Sequence, residues 1–392
     1  MTTPTRAPVP FRLHVPDDEL ADLHERLART RFPETPPGEP WATGTDTAFL
    51  REAVAHWKDR FDWRAQEARL NAFPQYTVPI SGIDLHFLHV PGVRASGAPE
   101  PMPLLLSHGW PGSVLEFLDL IPRLTDPARF GGDPADAFTV VAPSLPGYTL
   151  SYRPGQPRFA LPDIARTFHE LMTEVLGYAR YGAQGGDWGS FVTAVLGAEH
   201  ADAVLGIHLN MMPVRRDAQS VAAPTPEEKR WLDELALFLK EETGYQWIQG
   251  TRPHTLGAAL TDSPAGLAAW LFEKFQRWTD NRGDPRDALS MDAMLADIAL
   301  YWFTGAIGSS FWPYYARMHR PWPIRDGGVG APCGYAAFPR EILRPPRSVC
   351  ERAFTDIRRW TEMPRGGHFA AMEQPEALAH EIVEFFRPLR VG

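Results

Sequence analysis

Residues 185–190 read Gly-Gly-Asp-Trp-Gly-Ser and follow an apolar-leaning stretch from Tyr178 to Ala183. The spacing predicts a strand running into a tight turn with one carboxylate, Asp187, at its apex. Small residues on both sides let a strained strand-to-helix turn hold that side chain out over a sheet. A serine alkylated on oxygen becomes an ether that water cannot cleave. An alkylated aspartate becomes an ester, open to hydrolysis by an activated water. An apical Asp therefore points to attack on sp3 carbon, in an epoxide or an alkyl halide. Asp beside Gly is also favoured in turns and at helix N-caps, so the reading depends on the rest of the constellation.

The Gly-Gly-Asp-Trp-Gly-Ser frame resembles the nucleophile elbow of α/β-hydrolases. Upstream, residues 104–113 read Leu-Leu-Leu-Ser-His-Gly-Trp-Pro-Gly-Ser, a short apolar strand ending in a glycine turn. This stretch resembles the His-Gly-X-Pro oxyanion loop of the epoxide hydrolase branch, in which the backbone amides of Trp110 and Trp188 would bind the oxygen of a tetrahedral intermediate; His108 is read as structural. Near the C-terminus, Pro364-Arg365-Gly366-Gly367-His368-Phe369 supplies a glycine-flanked His in the late position where the fold places its base. The carboxylate orienting it is read as Glu341, just after the strand-like stretch from Cys333 to Ala337. Asp356, in a strand-like stretch, and Asp326, in a glycine-rich loop, are its competitors.

With these motifs in family order, the chain resembles the microsomal-type epoxide hydrolases over nearly its full length. The resemblance implies two lid tyrosines that hydrogen-bond the epoxide oxygen. The matching positions are Tyr245, in Thr243-Gly244-Tyr245-Gln246-Trp247, and Tyr314, in Phe311-Trp312-Pro313-Tyr314, with Tyr315 adjacent to the latter. A phenol with pKa near ~10 stays protonated at neutral pH and can donate as the ring opens. The implied reaction converts an epoxide to a vicinal diol through an ester on Asp187, hydrolysed by water that His368 activates. Haloalkane dehalogenases share the Asp elbow and late His but lack this tyrosine pair. The other alternative is a non-catalytic ligand-binding member of the fold; such proteins usually lose a triad member. The family includes detoxifying and biosynthetic enzymes.

The implied fold is an α/β-hydrolase: a mostly parallel sheet flanked by helices, with a helical lid and an N-terminal helical extension. Alternating strands at 104–107, 138–142, 178–183 and 204–209, with a helix through Ile164, Phe168 and Leu171, support it. Expected boundaries are 1–75 for an N-terminal wrapping segment, 76–211 and 324–392 for the core, and 212–323 for the lid. In the first unit, Asp17 to Leu27 and Phe49 to Phe61 read as helices. Ala353 to Trp360 reads as a late strand before a closing helix that ends at Phe386.

A net charge of −9 without a basic run argues against nucleic acid or an anionic membrane as partner. No apolar run approaches ~18 residues and no apolar leader opens the chain, so the cytoplasm is the expected compartment. Two cysteines, Cys333 and Cys350, have no metal-ligand spacing and are too few for a disulfide framework. No metal or organic cofactor is expected. The expected partner is a small epoxide, apolar or aromatic if the lid residues Trp231, Trp247, Trp270, Phe272 and Trp312 line its pocket; an exposed lid face or sheet edge would suit a homodimer.

Overall fold

The computed structural model describes residues 7–94, 97, 100–215, 221, 223–324 and 327–390. Its organising element is a sheet of nine strands: β1 (Val9–Pro10), β2 (Gln75–Ile80), β3 (Ile83–Val90), β4 (Met102–Ser107), β5 (Phe138–Pro143), β6 (Tyr181–Gly185), β7 (Val204–Leu209), β8 (Cys333–Ala337) and β9 (Ile357–Glu362). Their spatial order is β1-β2-β3-β5-β4-β6-β7-β8-β9. The first three pair antiparallel, as does β3 with β5. From β5 to β9 every pairing is parallel. β4 shows why: Leu104, Leu105 and Leu106 are all fully buried with no alternation, as in a strand covered by helices on both faces.

The helices that matter below are α1 (Asp17–Ala28), α2 (Thr47–Asp59), α3 (Leu161–Glu170), α4 (Asp187–Glu199), α5 (Pro226–Glu241), α6 (Gly244–Thr251), α7 (Pro264–Trp278), α8 (Met291–Thr304), α9 (Trp312–His319) and α10 (Pro375–Phe386). Between β7 and β8 the described chain is helical and carries α5 to α9. α7 has a local reason for its start: the Ser263 side chain accepts from the Gly266 amide and Pro264 occupies the first turn. α1 buries Leu23 and Leu27, and α2 buries Phe49, Leu50, Val54 and Trp57.

Several boundaries differ from expectation for local reasons. α2 starts two residues early because Asp46 caps it, accepting from Phe49 N. The strand expected from Tyr178 begins at Tyr181, since Tyr178 N closes the preceding helical turn on Met172 O and its hydroxyl meets His89 Nε2 at 2.9 Å. The strand expected from Ala353 begins at Ile357, because Ala353 and Phe354 both donate to Cys350 O and complete a helical turn. The N-terminal segment also contributes to the sheet: β1 is its edge strand through its pairing with β2.

Candidate active site

The C-terminal ends of β4, β6 and β8 bring the site together. Asp187 follows β6 with φ of 47°, in the left-handed region that a non-glycine residue occupies only when its surroundings enforce it, at about 1–3 kcal/mol. The enforcement is local. Ser190 N donates to Gly186 O at 3.0 Å and Ser190 Oγ donates to Asp187 O at 2.6 Å. Gly189 lets α4 begin against the end of β4, since a Cβ there would fall 1.9 Å from Ser107 O. The strain is absorbed by the turn, and the carboxylate is left standing over the sheet edge.

Two groups meet that carboxylate, and a third orients one of them. Trp110 N donates to Asp187 Oδ1 at 2.7 Å. His368 Nε2 lies 3.5 Å from Oδ2, and its Nδ1 meets Glu341 Oε1 at 2.7 Å. Ile342 N donates to the same Glu341 oxygen at 2.6 Å, and His368 N donates to Trp278 O at 2.8 Å, so acid and imidazole are each fixed by a backbone bond. The Glu341 side chain is wholly buried. Burial alone would lower the His368 pKa, but the Glu341 and Asp187 carboxylates outweigh it and hold the imidazole well above its ordinary 6.5.

The other expected residues fall as follows. Trp188 is in the first turn of α4, but among the described residues no bond joins its amide to the Asp187 side chain; only Trp110 of the two amides is engaged. His108 has the structural place expected of it, with Nδ1 donating to Gly109 O at 3.0 Å and Nε2 accepting from Leu145 N at 3.1 Å. Burial pushes its pKa down to about 4, which keeps it neutral. Asp356 precedes β9, at the opposite end of the parallel strands from the site, and pairs with Arg358 at 2.8 Å. Asp326 lies outside the described residues.

The two tyrosines come from α6 and α9. Their ring centroids are 5.7 Å apart; Tyr245 stacks on Trp110 at 5.5 Å and Tyr314 meets it edge-on at 5.7 Å. Gln246 Nε2 donates to the Tyr245 hydroxyl at 2.8 Å. Burial, helped by Tyr245 and Asp187, holds the Tyr314 phenol well above its ordinary range, so it remains a donor. Both line a cavity of about 250 Å³ with Asp187, Trp188, Phe191 and Trp322. Tyr315, half-buried, instead packs between the rings of Trp312 and His319.

The lid aromatics singled out in the sequence do not line this cavity. Trp247 is 62% exposed, Phe272 is fully buried in the core, Trp270 bonds Gln249, and Trp312 stacks on Tyr315. Helix packing and solvent claim them, and the apolar wall is built by Trp188, Phe191, Met211 and Trp322 instead. Trp278 was equally unmarked: it reads as one more apolar residue of α7, yet its ring lies 5.0 Å from His368 and 5.3 Å from Tyr245. Glu116 did carry a signal, an acid inside the apolar run Val114-Leu115-Glu116-Phe117 soon after the oxyanion loop.

Residues 8–117 match the family model described as epoxide hydrolase N terminus, and residues 102–282 match that of the alpha/beta hydrolase fold. A Stigmatella aurantiaca protein that carries an epoxide hydrolase name is 45% identical over 97% of this chain and 85% of its own. Epoxide hydrolase 1 of Oryctolagus cuniculus is 36% identical over 96% of this chain and 88% of its own. Among solved structures, the epoxide hydrolase of Aspergillus niger superposes with a TM-score of 0.83 at 31% identity, covering 98% of this chain and 97% of that one. Among the described residues, no helix is long and apolar enough to cross a membrane.

Proposed function

The chain belongs to the epoxide hydrolase family and is a hydrolase of the α/β fold, and from that premise we propose that it opens its epoxide through a covalent ester on Asp187. The observation that carries the mechanism is the placement of the carboxylate: one oxygen in the Trp110 amide bond, the other facing His368, and two phenols across the same cavity. Oδ1 keeps its Trp110 bond while Oδ2 attacks an epoxide carbon. The carbon–oxygen bond of the ring breaks, and the freed oxygen takes a proton from Tyr245 or Tyr314.

Alkylation changes the electrostatics of the pair. While Asp187 is ionised it helps keep His368 protonated; once it is an ester that support is gone. The imidazolium then gives its proton to the tyrosinate and becomes the base the second stage needs. His368, still oriented by Glu341, takes a proton from water as the water oxygen bonds the Asp187 carbonyl carbon, and the oxyanion stays in the Trp110 bond. Collapse breaks the bond between the carbonyl carbon and the alkoxide oxygen, the alkoxide takes the proton from His368 and leaves as the diol, and the acid proton left on Asp187 then passes to His368 to restore the starting ion pair. The apolar wall of Trp188, Phe191, Met211 and Trp322 suits an apolar or aryl epoxide.

The test is intact-protein mass spectrometry of His368→Ala after incubation with styrene oxide, with the adduct mapped by proteolysis. The reading expects a stable adduct of full epoxide mass on Asp187. An unmodified variant that still releases diol would reject it.

A further inference from the structure

Asp187 lines two cavities and is the one residue they share. The larger is the substrate cavity described above. The smaller, of about 20 Å³, is bordered by Glu116, Gln184, Asn210 and His368 together with the oxyanion loop. A water needs roughly 10–15 Å³ of such space and two to four polar partners. The volume suits one water, and the lining is polar enough to hold it.

We infer that Glu116 is a positioning residue for the hydrolytic half-reaction, its carboxyl holding the attacking water against His368 in this one-water cavity, apart from the space the epoxide occupies. The inference rests on the Asp187 ester proposed above. A water that attacks the ester carbon directs one lone pair at that carbon and one O–H at His368 Nε2. Its second O–H needs an acceptor, or it leaves the productive orientation. A carboxyl oxygen of Glu116 supplies one whether the group is ionised or neutral.

Two features of the chain fit this role. A Cβ on Gly112 would fall 1.4 Å from Glu116 Oε1, so the glycine of the oxyanion loop is what lets the carboxyl lie where it does. Gln184, itself 1% exposed, spends its amide on Asn210 Oδ1 at 2.9 Å, and its Oε1 has no partner among the described residues. The cavity therefore has a second buried acceptor awaiting a donor such as water. Burial, reinforced by Asp297 and Asp187, also holds the Glu116 carboxyl well above its ordinary range, against the opposing pull of His368, as expected of a partly buried acid beside two other carboxylates.

The experiment separates the two half-reactions. Wild type, Glu116→Leu and Glu116→Gln are mixed with styrene oxide and quenched over time, and intact mass reports the ester while product analysis reports the diol. Glu116→Leu is expected to alkylate at close to the wild-type rate but to hydrolyse about 100-fold more slowly, so that ester accumulates. Glu116→Gln, whose amide oxygen still accepts, restores most of the hydrolysis. Should Glu116→Leu not fold, Gly112→Ala displaces the same carboxyl and is expected to accumulate ester too. Equal slowing of both half-reactions, or a Gln variant as impaired as Leu, overturns the inference. An absence of Asp187 ester in His368→Ala would instead overturn the mechanism beneath it.

Discussion

Asp297 ties α8 to the turn that follows β4, and replacing it with Asn should stabilise the protein in a way that grows with pH. It lies on α8 with 2% exposure; Ser113 Oγ donates to its Oδ1 at 2.6 Å, and one turn along the helix the Tyr301 hydroxyl donates to Gly112 O at 2.9 Å. Oδ2 has no partner among the described residues. Burial pushes its pKa from 3.8 up to about 7. The folded state thus keeps a proton that the unfolded chain releases, and the stability this gives below pH 4 is lost as pH rises to about 7. The whole span corresponds to about 4 kcal/mol, of which about 2.5 kcal/mol falls between pH 5 and 8. Asn keeps an acceptor for Ser113 and does not ionise. In urea unfolding at the two pH values, Asp297→Asn should therefore gain about 2–3 kcal/mol on wild type as pH goes from 5 to 8. Glu373, also raised by burial, is present in both proteins, while Glu116, which Asp297 helps to hold up, loses that support in the variant and so adds to the gain in the same direction. A gap that does not change with pH, or a variant less stable than wild type at pH 8, would refute the reasoning.

Tyr245→Phe and Tyr314→Phe should each slow alkylation by about 10–100-fold, the loss of one hydrogen bond to developing charge, while Tyr315→Phe should stay within about twofold; stopped-flow measurement of alkylation checks this, and an effect at Tyr315 equal to that at Tyr314 would invalidate the assignment. Glu341→Gln should leave alkylation in place but slow ester hydrolysis by about 100-fold or more. Since the Glu341 carboxylate helps raise the His368 pKa, the low-pH limb of ester hydrolysis should move to lower pH in this variant. An unmoved limb would show that Glu341 does not set the imidazole's protonation.

Where a residue's role is dictated by local backbone, the sequence was a good guide. The elbow at Asp187 needs small neighbours and the oxyanion loop needs Gly and Pro, so both stand out as strings; Ser263-Pro264 marks a helix start for the same reason. The lid was harder to read, because a helix demands apolar residues whether they face a substrate or a neighbouring helix. Trp270 and Phe272 are indistinguishable by type from Phe191 and Trp322, yet only the latter pair lines the cavity. Strand limits at Tyr181 and Ile357 were displaced by helical turns that close through backbone bonds alone, which no side-chain pattern announces. Trp278 meets His368 only through tertiary packing, and Glu116, although marked as an acid in an apolar run, shares a cavity with His368 only once the chain is folded.

The central claim, an ester on Asp187, is tested most directly by a single turnover of excess wild-type enzyme with styrene oxide in ¹⁸O-labelled water. The account predicts an unlabelled diol, its new oxygen drawn from the Asp187 carboxylate, and one ¹⁸O in the peptide that contains Asp187. A labelled diol with an unlabelled Asp187 peptide would mean that water attacks the epoxide directly, and the covalent account would be wrong.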